Sequence, residues 1–258
     1  MLTVFRRAIC ALTALCVCAP RAAFGTWSII VLDRATNRVA VAAASCTSDV
    51  YGIMTLFPGV GALVAQGIGD PAAMREGTRL IRDGQTADSV LRAITSQVVD
   101  SGTGQRQYAI ATFLGGQQQY TGGSLTPYNG ARAADGILVQ GNTLAGPAVL
   151  DRAIAAVQAA RADGRPLEEV LMSGLKAGAE AGGDVRCGRQ RATSAFLAVA
   201  RPGDVPNWPY LTLRVVGVEQ GSTVNAVDVL QTRLLLWQHG GGSRNRLTSE
   251  TIRPDSSH

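Results

Sequence analysis

Two pairs of helix signals, set between blocks of strand signals, constrain the fold of this chain. Residues 26–33 and 38–44 are strand-like runs joined by a short turn, and they predict a β-hairpin. Further strands are predicted at 61–66, 106–114, 137–140, 194–200 and 210–218. Helices are predicted at 71–84, 146–162, 166–181 and 225–237. A further helix is predicted after Thr86, which caps it, and its apolar positions reach Val98. This order predicts an α+β fold with two mostly antiparallel sheets covered by helices on both outer faces.

The first 25 residues have the pattern of a secretory signal peptide. Arg6 and Arg7 precede an apolar segment that is too short to span a bilayer, which disfavours the alternative of a retained membrane anchor. Ala23 and Gly25 supply the small residues that a signal peptidase requires at the −3 and −1 positions of its site. We therefore expect a periplasmic or secreted protein whose mature chain begins at Thr26.

The remaining chain has the size and composition of one domain. Residues 26–238 are rich in small apolar residues and long enough for a full core, whereas the polar, Gly/Ser-rich residues 239–258 predict a disordered tail. Removing the signal would leave 21 basic against 19 acidic residues. This near balance predicts no nucleic-acid partner, and the mature chain is not expected to stay inserted in a membrane.

The cysteine and histidine content argues against a metal site. Cys46 and Cys187 are the cysteines that remain after processing. In an oxidising compartment such a pair points to a disulfide rather than a metal site. The chain has two histidines, one of them its last residue, so that a zinc site is not expected. No metal ion or organic cofactor is predicted.

Thr26 is the candidate nucleophile, because the best cleavage point would leave it as the free N-terminus. A threonine hydroxyl needs a base to remove its proton. The α-amino group of the same residue could do so, because its ordinary pKa of roughly 7.7–8.0 lies near working pH. The alternative is that a threonine simply follows the signal at a position that favours a strand.

Five segments of the chain, in order, resemble the domain of unknown function family numbered 1028: TWSIIVLD, VAVAAAS, GVGALVAQGIGDP, ILVQGNTLAGP and AGGDVRCGRQ. The resemblance covers roughly residues 26–218. That family is grouped with the N-terminal-nucleophile hydrolases, so the resemblance implies a four-layer αββα sandwich with Thr26 at the nucleophile position. Some relatives have cysteines at the places of Cys46 and Cys187, which implies a disulfide between them. Other relatives have a lysine where this chain has Cys46, and Lys176 in a helix is no obvious substitute, so a proteasome-type mechanism is not implied.

Two further polar residues are catalytic candidates beside Thr26. Ser45 ends the second strand, where its hydroxyl could reach Thr26 across the hairpin or make only a strand-end hydrogen bond. Asn142 could donate its amide to an oxyanion, or it could make a local hydrogen bond in the turn before a helix. Gln140 and Gly141, in the same segment, are assigned to substrate binding, and Gly141 permits close backbone approach.

The other candidates lie in a glycine-rich loop and at a strand end. Asp184, a fourth catalytic candidate, and Arg186 could hold the amino terminus or a substrate carboxylate, or they could form an ion pair that steadies the loop. Gln190 extends this loop with the same ambiguity and is assigned to substrate binding. Gln66 could position a substrate amide, although capping of its own strand explains it equally well.

Together these residues predict an exported hydrolase that cleaves an amide bond. Thr26 would attack the carbonyl with its own amine as base and then acid, Asn142 would stabilise the oxyanion, and water would release the ester. The substrate would be a small molecule or a peptide, and homo-oligomer formation stays open. A binding module with the same fold and a structural envelope protein are the alternatives, because a fold alone does not decide function.

Overall fold

Two antiparallel sheets form the centre of the fold in the computed structural model, which describes residues 25–240 except 97, 126 and 207. The strands are β1 (Thr26–Asp33), β2 (Arg38–Ser45), β3 (Met54–Phe57), β4 (Gly61–Gly67), β5 (Arg106–Thr112), β6 (Gly116–Thr121), β7 (Tyr128–Ala134), β8 (Ile137–Leu144), β9 (Ser194–Ala200) and β10 (Leu211–Val215). The helices are α1 (Pro71–Arg82), α2 (Ala87–Ile94), α3 (Ala148–Ala162), α4 (Leu167–Glu180) and α5 (Ala226–His239). One sheet has six strands in the order β10-β9-β2-β1-β8-β7, and the other has four in the order β3-β4-β5-β6.

The sheets and helices stack as layers, which confirms the predicted α+β sandwich. Helices α3, α4 and α5 pack on the six-stranded sheet, and α1 and α2 pack on the four-stranded sheet. Strand β1 shows why this arrangement follows from the sequence, since successive side chains of a strand point to opposite faces. Trp27 and Ile29 belong to the core beneath the helices, whereas Ile30 and Leu32 belong to the core between the two sheets.

Most predicted elements are present, and the differences occur where the sequence signal is weak. Strands β3, β6 and β7 were not predicted: β3 has only four residues, β6 is largely polar, and β7 is rich in alanine with a glycine. Strand β8 extends past the predicted end at 140 to Leu144 because its polar residues are buried rather than exposed. Helix α2 ends at Ile94 instead of reaching Val98, whose side chain is exposed.

The C-terminal helix differs slightly from the prediction, and most of the predicted signal peptide and tail lie outside the described residues. Helix α5 continues through His239, so the first residue of the predicted tail is helical, and Gly240 caps the helix. The predicted signal peptide, apart from Gly25, and residues 241–258 of the predicted tail lie outside the described residues. Within the described ranges, no helix combines the length and apolar character needed to cross a membrane.

Close packing of α4 fixes the position of β1 in the six-stranded sheet. Gly174 and Gly178 lie one turn apart on α4 and face the side chains of Ile29 and Trp27. A Cβ atom on Gly174 would lie 2.6 Å from Ile29 Cδ1, and one on Gly178 would lie 2.7 Å from Trp27 Nε1. The helix therefore approaches β1 more closely than any larger residue would allow.

We expect Gly178→Ala to destabilise the fold by about 1–2 kcal/mol, because the added methyl group meets the fully buried Trp27 ring and this outweighs the gain in helix propensity. Urea denaturation of the two proteins measures the difference. Gly146→Ala is the matched control, since a Cβ there meets no atom within 4 Å. Equal unfolding midpoints for Gly178→Ala and the parent protein would contradict the packing argument.

Candidate active site

The register of the central strands brings Thr26 together with two of the predicted catalytic residues. Strand β1 lies between β2 and β8, and Thr26 is paired with Ser45 on one side and with Asn142 on the other. Thr26 Oγ1 donates a hydrogen bond of 3.2 Å to Ser45 Oγ, as the hairpin spacing predicts. Thr26 itself is 2% exposed and lines a cavity at this end of the sandwich.

The Ser45 hydroxyl connects the residues around Thr26. Its oxygen accepts hydrogen bonds from Thr26 Oγ1 and from Thr47 Oγ1, each at 3.2 Å. It donates its own proton to the carbonyl oxygen of Gly25. Ser45 is fully buried, whereas Thr47 lines the same cavity as Thr26. Sequence reasoning missed Thr47; its hydroxyl two residues after Ser45 was the available signal.

Asp184 and Arg186 form an ion pair against the peptide that precedes Thr26. Asp184 is fully buried, and its two oxygens accept from Arg186 Nε at 3.0 Å and from an Arg186 terminal nitrogen at 2.6 Å. The Cys46 N–H adds a 2.8 Å hydrogen bond to the same carboxylate. Arg186 also donates to the Gly25 carbonyl at 2.9 Å. Gly25 lies so close that a Cβ atom there would be 2.7 Å from Asp184 Oδ2.

A network of buried amides lies behind Thr26. Gln66 Nε2 donates to the Thr26 carbonyl at 3.2 Å and to Gln107 Oε1 at 2.7 Å. Ser28 Oγ donates to Gln66 Oε1 at 2.7 Å. Gln66 also lines the cavity, so it remains placed for substrate contact. Gln107 was missed in the sequence, where the signal was an amide within an otherwise apolar strand.

Asn142 faces this network rather than the cavity. Its Nδ2 donates to Gln107 Oε1 at 3.2 Å, and its Oδ1 accepts from Thr143 Oγ1 at 3.3 Å. The side chain is fully buried and does not line the cavity. The predicted oxyanion role does not match this orientation, because the amide is turned into the space between the sheets.

The remaining predicted binding residues lie away from the cavity wall. Gln140 is buried between the sheets, and neither its amide oxygen nor its nitrogen has a hydrogen-bond partner within the described chain. The Gly141 carbonyl accepts from Gln107 Nε2 at 3.0 Å. Gln190 holds the loop before α5, with Nε2 donating to the carbonyls of Glu219 and Val224 at 2.8 Å each. The fold explains the contacts of Gly141 and Gln190 without a ligand.

The cavity that Thr26 lines has a volume of about 610 Å³. Residues 47–55 form one wall, and the end of β4 with the start of α1 forms the other. Apolar side chains of Ile53, Met54 and Met74 lie between its polar groups, and Arg75 stands on the α1 side. No cluster of three potential metal ligands occurs in the described part of the chain. The arrangement thus offers a hydroxyl, an amide and a cation to an organic ligand.

Residues 26–223 match a family of unknown function (DUF1028). The chain belongs to this family. A solved member, protein SPO2555 from Silicibacter pomeroyi, aligns with a TM-score of 0.69 and 24% identity over 85% of this chain and 94% of the other. The likeness shows that the two proteins share a fold. No curated protein matches the chain significantly.

In this DUF1028 chain a disulfide fixes the ion pair to the end of β2. Cys46 follows Ser45, and Cys187 lies in the 3₁₀ turn Val185–Gln190; the two Cα atoms are 5.6 Å apart. The pairing that the resemblance implied is therefore present. Because Asp184 also accepts from the Cys46 N–H, the disulfide and the carboxylate hold the same two segments together.

We expect reduction, or replacement of Cys46 and Cys187 by serine, to lower the free energy of unfolding by about 2–5 kcal/mol, because the bond closes a long loop. Urea denaturation with and without dithiothreitol measures the loss. The double serine variant is the control and should not respond to the reductant. A parent protein whose midpoint is unchanged by full reduction would show that the disulfide does not stabilise the site region.

Proposed function

We propose that this protein is an exported amide hydrolase of the N-terminal-nucleophile type, with Thr26 as nucleophile after removal of residues 1–25. The observation that carries the proposal is the position of Thr26. This residue begins strand β1, lines a cavity of about 610 Å³, and its hydroxyl is hydrogen-bonded to Ser45. A single residue that carries both hydroxyl and α-amino group needs no separate histidine as base.

The reaction would proceed through an ester on Thr26. The α-amino group takes the hydroxyl proton as Oγ1 attacks the substrate carbonyl carbon, and the resulting ammonium returns that proton to the nitrogen of the leaving amine as the C–N bond breaks. Water then attacks the ester, with the α-amino group of Thr26 again acting as base. The products are a carboxylic acid, the released amine and the regenerated Thr26 hydroxyl.

Ser45 and the Asp184–Arg186 pair are proposed to position the new amino group. Both Ser45 and Arg186 now donate to the Gly25 carbonyl. Cleavage after Gly25 removes that acceptor and leaves the amino group of Thr26 beside these side chains. The Asp184 carboxylate, which would lie 2.7 Å from a Cβ atom on Gly25, supplies a fixed negative charge that orients an ammonium.

The donor to the oxyanion is proposed to be Thr47 instead of Asn142. Thr47 and Thr26 donate to the same Ser45 oxygen, so their hydroxyls are close neighbours, and both residues line the cavity. Asn142 would act indirectly. It donates to the Gln107 amide oxygen, which also accepts from Gln66, and Gln66 donates to the Thr26 carbonyl.

A non-catalytic binding protein is the second candidate. It is favoured by the composition of the cavity wall, in which the described residues include no histidine, cysteine or lysine. Such a protein would hold the same ligand beside Thr26 and release no product.

The test begins with the mass and N-terminal sequence of the protein exported by its native route, which we expect to start at Thr26. Turnover is then measured on a panel of peptides and N-acyl amines as released primary amine. We expect Thr26→Ala to lower kcat by about 10³-fold or more, and Thr26→Ser to retain turnover because it keeps hydroxyl and amine. Thr232→Ala, at an exposed hydroxyl on α5, is the control and should leave the rate unchanged.

Two results would contradict the hydrolase proposal. One is a mature chain that begins upstream of Thr26 and stays so, because the amine is then tied up in a peptide bond. The other is turnover that Thr26→Ala does not reduce, because Thr26 could not then be the nucleophile. Ligand binding without turnover would favour the binding protein.

A further inference from the structure

We propose that the substrate carries a carboxylate and that Arg75, which lines the same cavity as Thr26, binds it. The inference rests on the proposed function, since it names the class of amide that the Thr26 site accepts. Arg75 is exposed on α1 and lines both the Thr26 cavity and the shallower groove that continues along the helix. It thus stands where the cavity opens to solvent.

Arg75 differs from the arginine one turn further along α1. Arg79 donates to Glu76 at 2.7 and 3.0 Å and to Asp83 at 2.7 Å, so its guanidinium is already paired. The Arg75 side chain makes no hydrogen bond or ion pair with any residue in the described ranges. Its five N–H donors therefore remain available to a ligand.

The acidic residues of the cavity wall, Asp49 and Asp70, do not pair with Arg75. Asp49 is paired with Arg214. Asp70 caps α1 by accepting from the Ala72 N–H at 2.7 Å, and it also lies 3.9 Å from a nitrogen of Arg106. Arg106 is itself paired with Asp100 at 2.9 Å, so Asp70 is held mainly by the backbone at the start of α1. Neither carboxylate pairs with Arg75, whose guanidinium can therefore pair with an anion in the cavity.

The apolar part of the cavity lining indicates the character of such a substrate. Ile53, Met54 and Met74 contribute apolar surface to the cavity, and methionines adapt to varied apolar shapes. A planar guanidinium matches a carboxylate with two parallel hydrogen bonds. The fitting class is an amide that has an apolar portion between the reacting carbonyl and a free carboxylate, as in a short peptide with a free C-terminus.

Binding to an inactive chain tests the inference separately from catalysis. The processed chain with Thr26→Ala is incubated with an N-acetylated tetrapeptide library containing equal amounts of free-carboxylate and C-terminally amidated members. Mass spectrometry after ultrafiltration gives the ratio of the two forms retained. We expect the carboxylate form to be enriched about tenfold, as one exposed charge-assisted contact allows, and to lose this enrichment when Arg75→Gln is added.

Arg82→Gln in the same background is the matched control, because Arg82 is an exposed arginine of α1 that lines the groove but not the Thr26 cavity. It should leave the ratio unchanged. A ratio near one before any change at Arg75, an enrichment that survives Arg75→Gln, or retention of no library member would each overturn the inference. Enrichment without turnover by the parent protein would support carboxylate binding by Arg75 and contradict the hydrolase proposal. Turnover without a preference for the carboxylate form would support the hydrolase proposal and contradict the role of Arg75.

Discussion

The buried carboxylate of Asp184 is the constraint on which the arrangement around Thr26 depends. A fully buried charge costs several kcal/mol unless it is paired and hydrogen-bonded. Asp184 meets this requirement with Arg186 and the Cys46 N–H, which belong to the 3₁₀ turn and to the end of β2. Arg186 in turn reaches the Gly25 carbonyl. The Cys46 N–H and the Gly25 carbonyl lie on other segments, so the paired carboxylate and guanidinium link the 3₁₀ turn to the end of β2 and to the start of β1.

The space between the sheets changes character along β1, and this change locates the site. Ile30 and Leu32 belong to an apolar intersheet core, which fixes the strand through burial alone. Towards Thr26 the same layer becomes polar, with Gln66 and Gln107 at its centre. Buried amides tolerate few alternative arrangements, because each unpaired group is costly. The polar network thus sets the rotamers behind Thr26, while the apolar core supplies the stability that supports it.

The sequence was sufficient for features that depend on local pattern. Alternation and a short turn predicted the hairpin, and the hairpin register alone brings Ser45 opposite Thr26. Sequence alone was insufficient where the position of a site residue depends on segments that are distant in the chain. Arg75 lines the cavity from α1, and no local pattern reveals that this helix borders the cavity that Thr26 lines. Asn142 pairs with Thr26 in the sheet, but its side chain is turned towards Gln107 on the opposite sheet, a direction that no local pattern reveals.

The contacts of Gly25 connect the proposed export with the proposed chemistry. In the unprocessed chain the carbonyl that precedes Thr26 uses the Ser45 hydroxyl and the Arg186 guanidinium, two groups that the mechanism assigns to the new amino terminus. The same peptide bond consumes the amine that would act as base. Cleavage after Gly25 would remove both the carbonyl acceptor and the peptide bond to the Thr26 nitrogen, and it would leave the disulfide and the Asp184–Arg186 pair in place. Under this proposal, cleavage frees the Ser45 hydroxyl and the Arg186 guanidinium from the Gly25 carbonyl, while the bonds that hold these two side chains to the rest of the domain do not involve the segment that is removed.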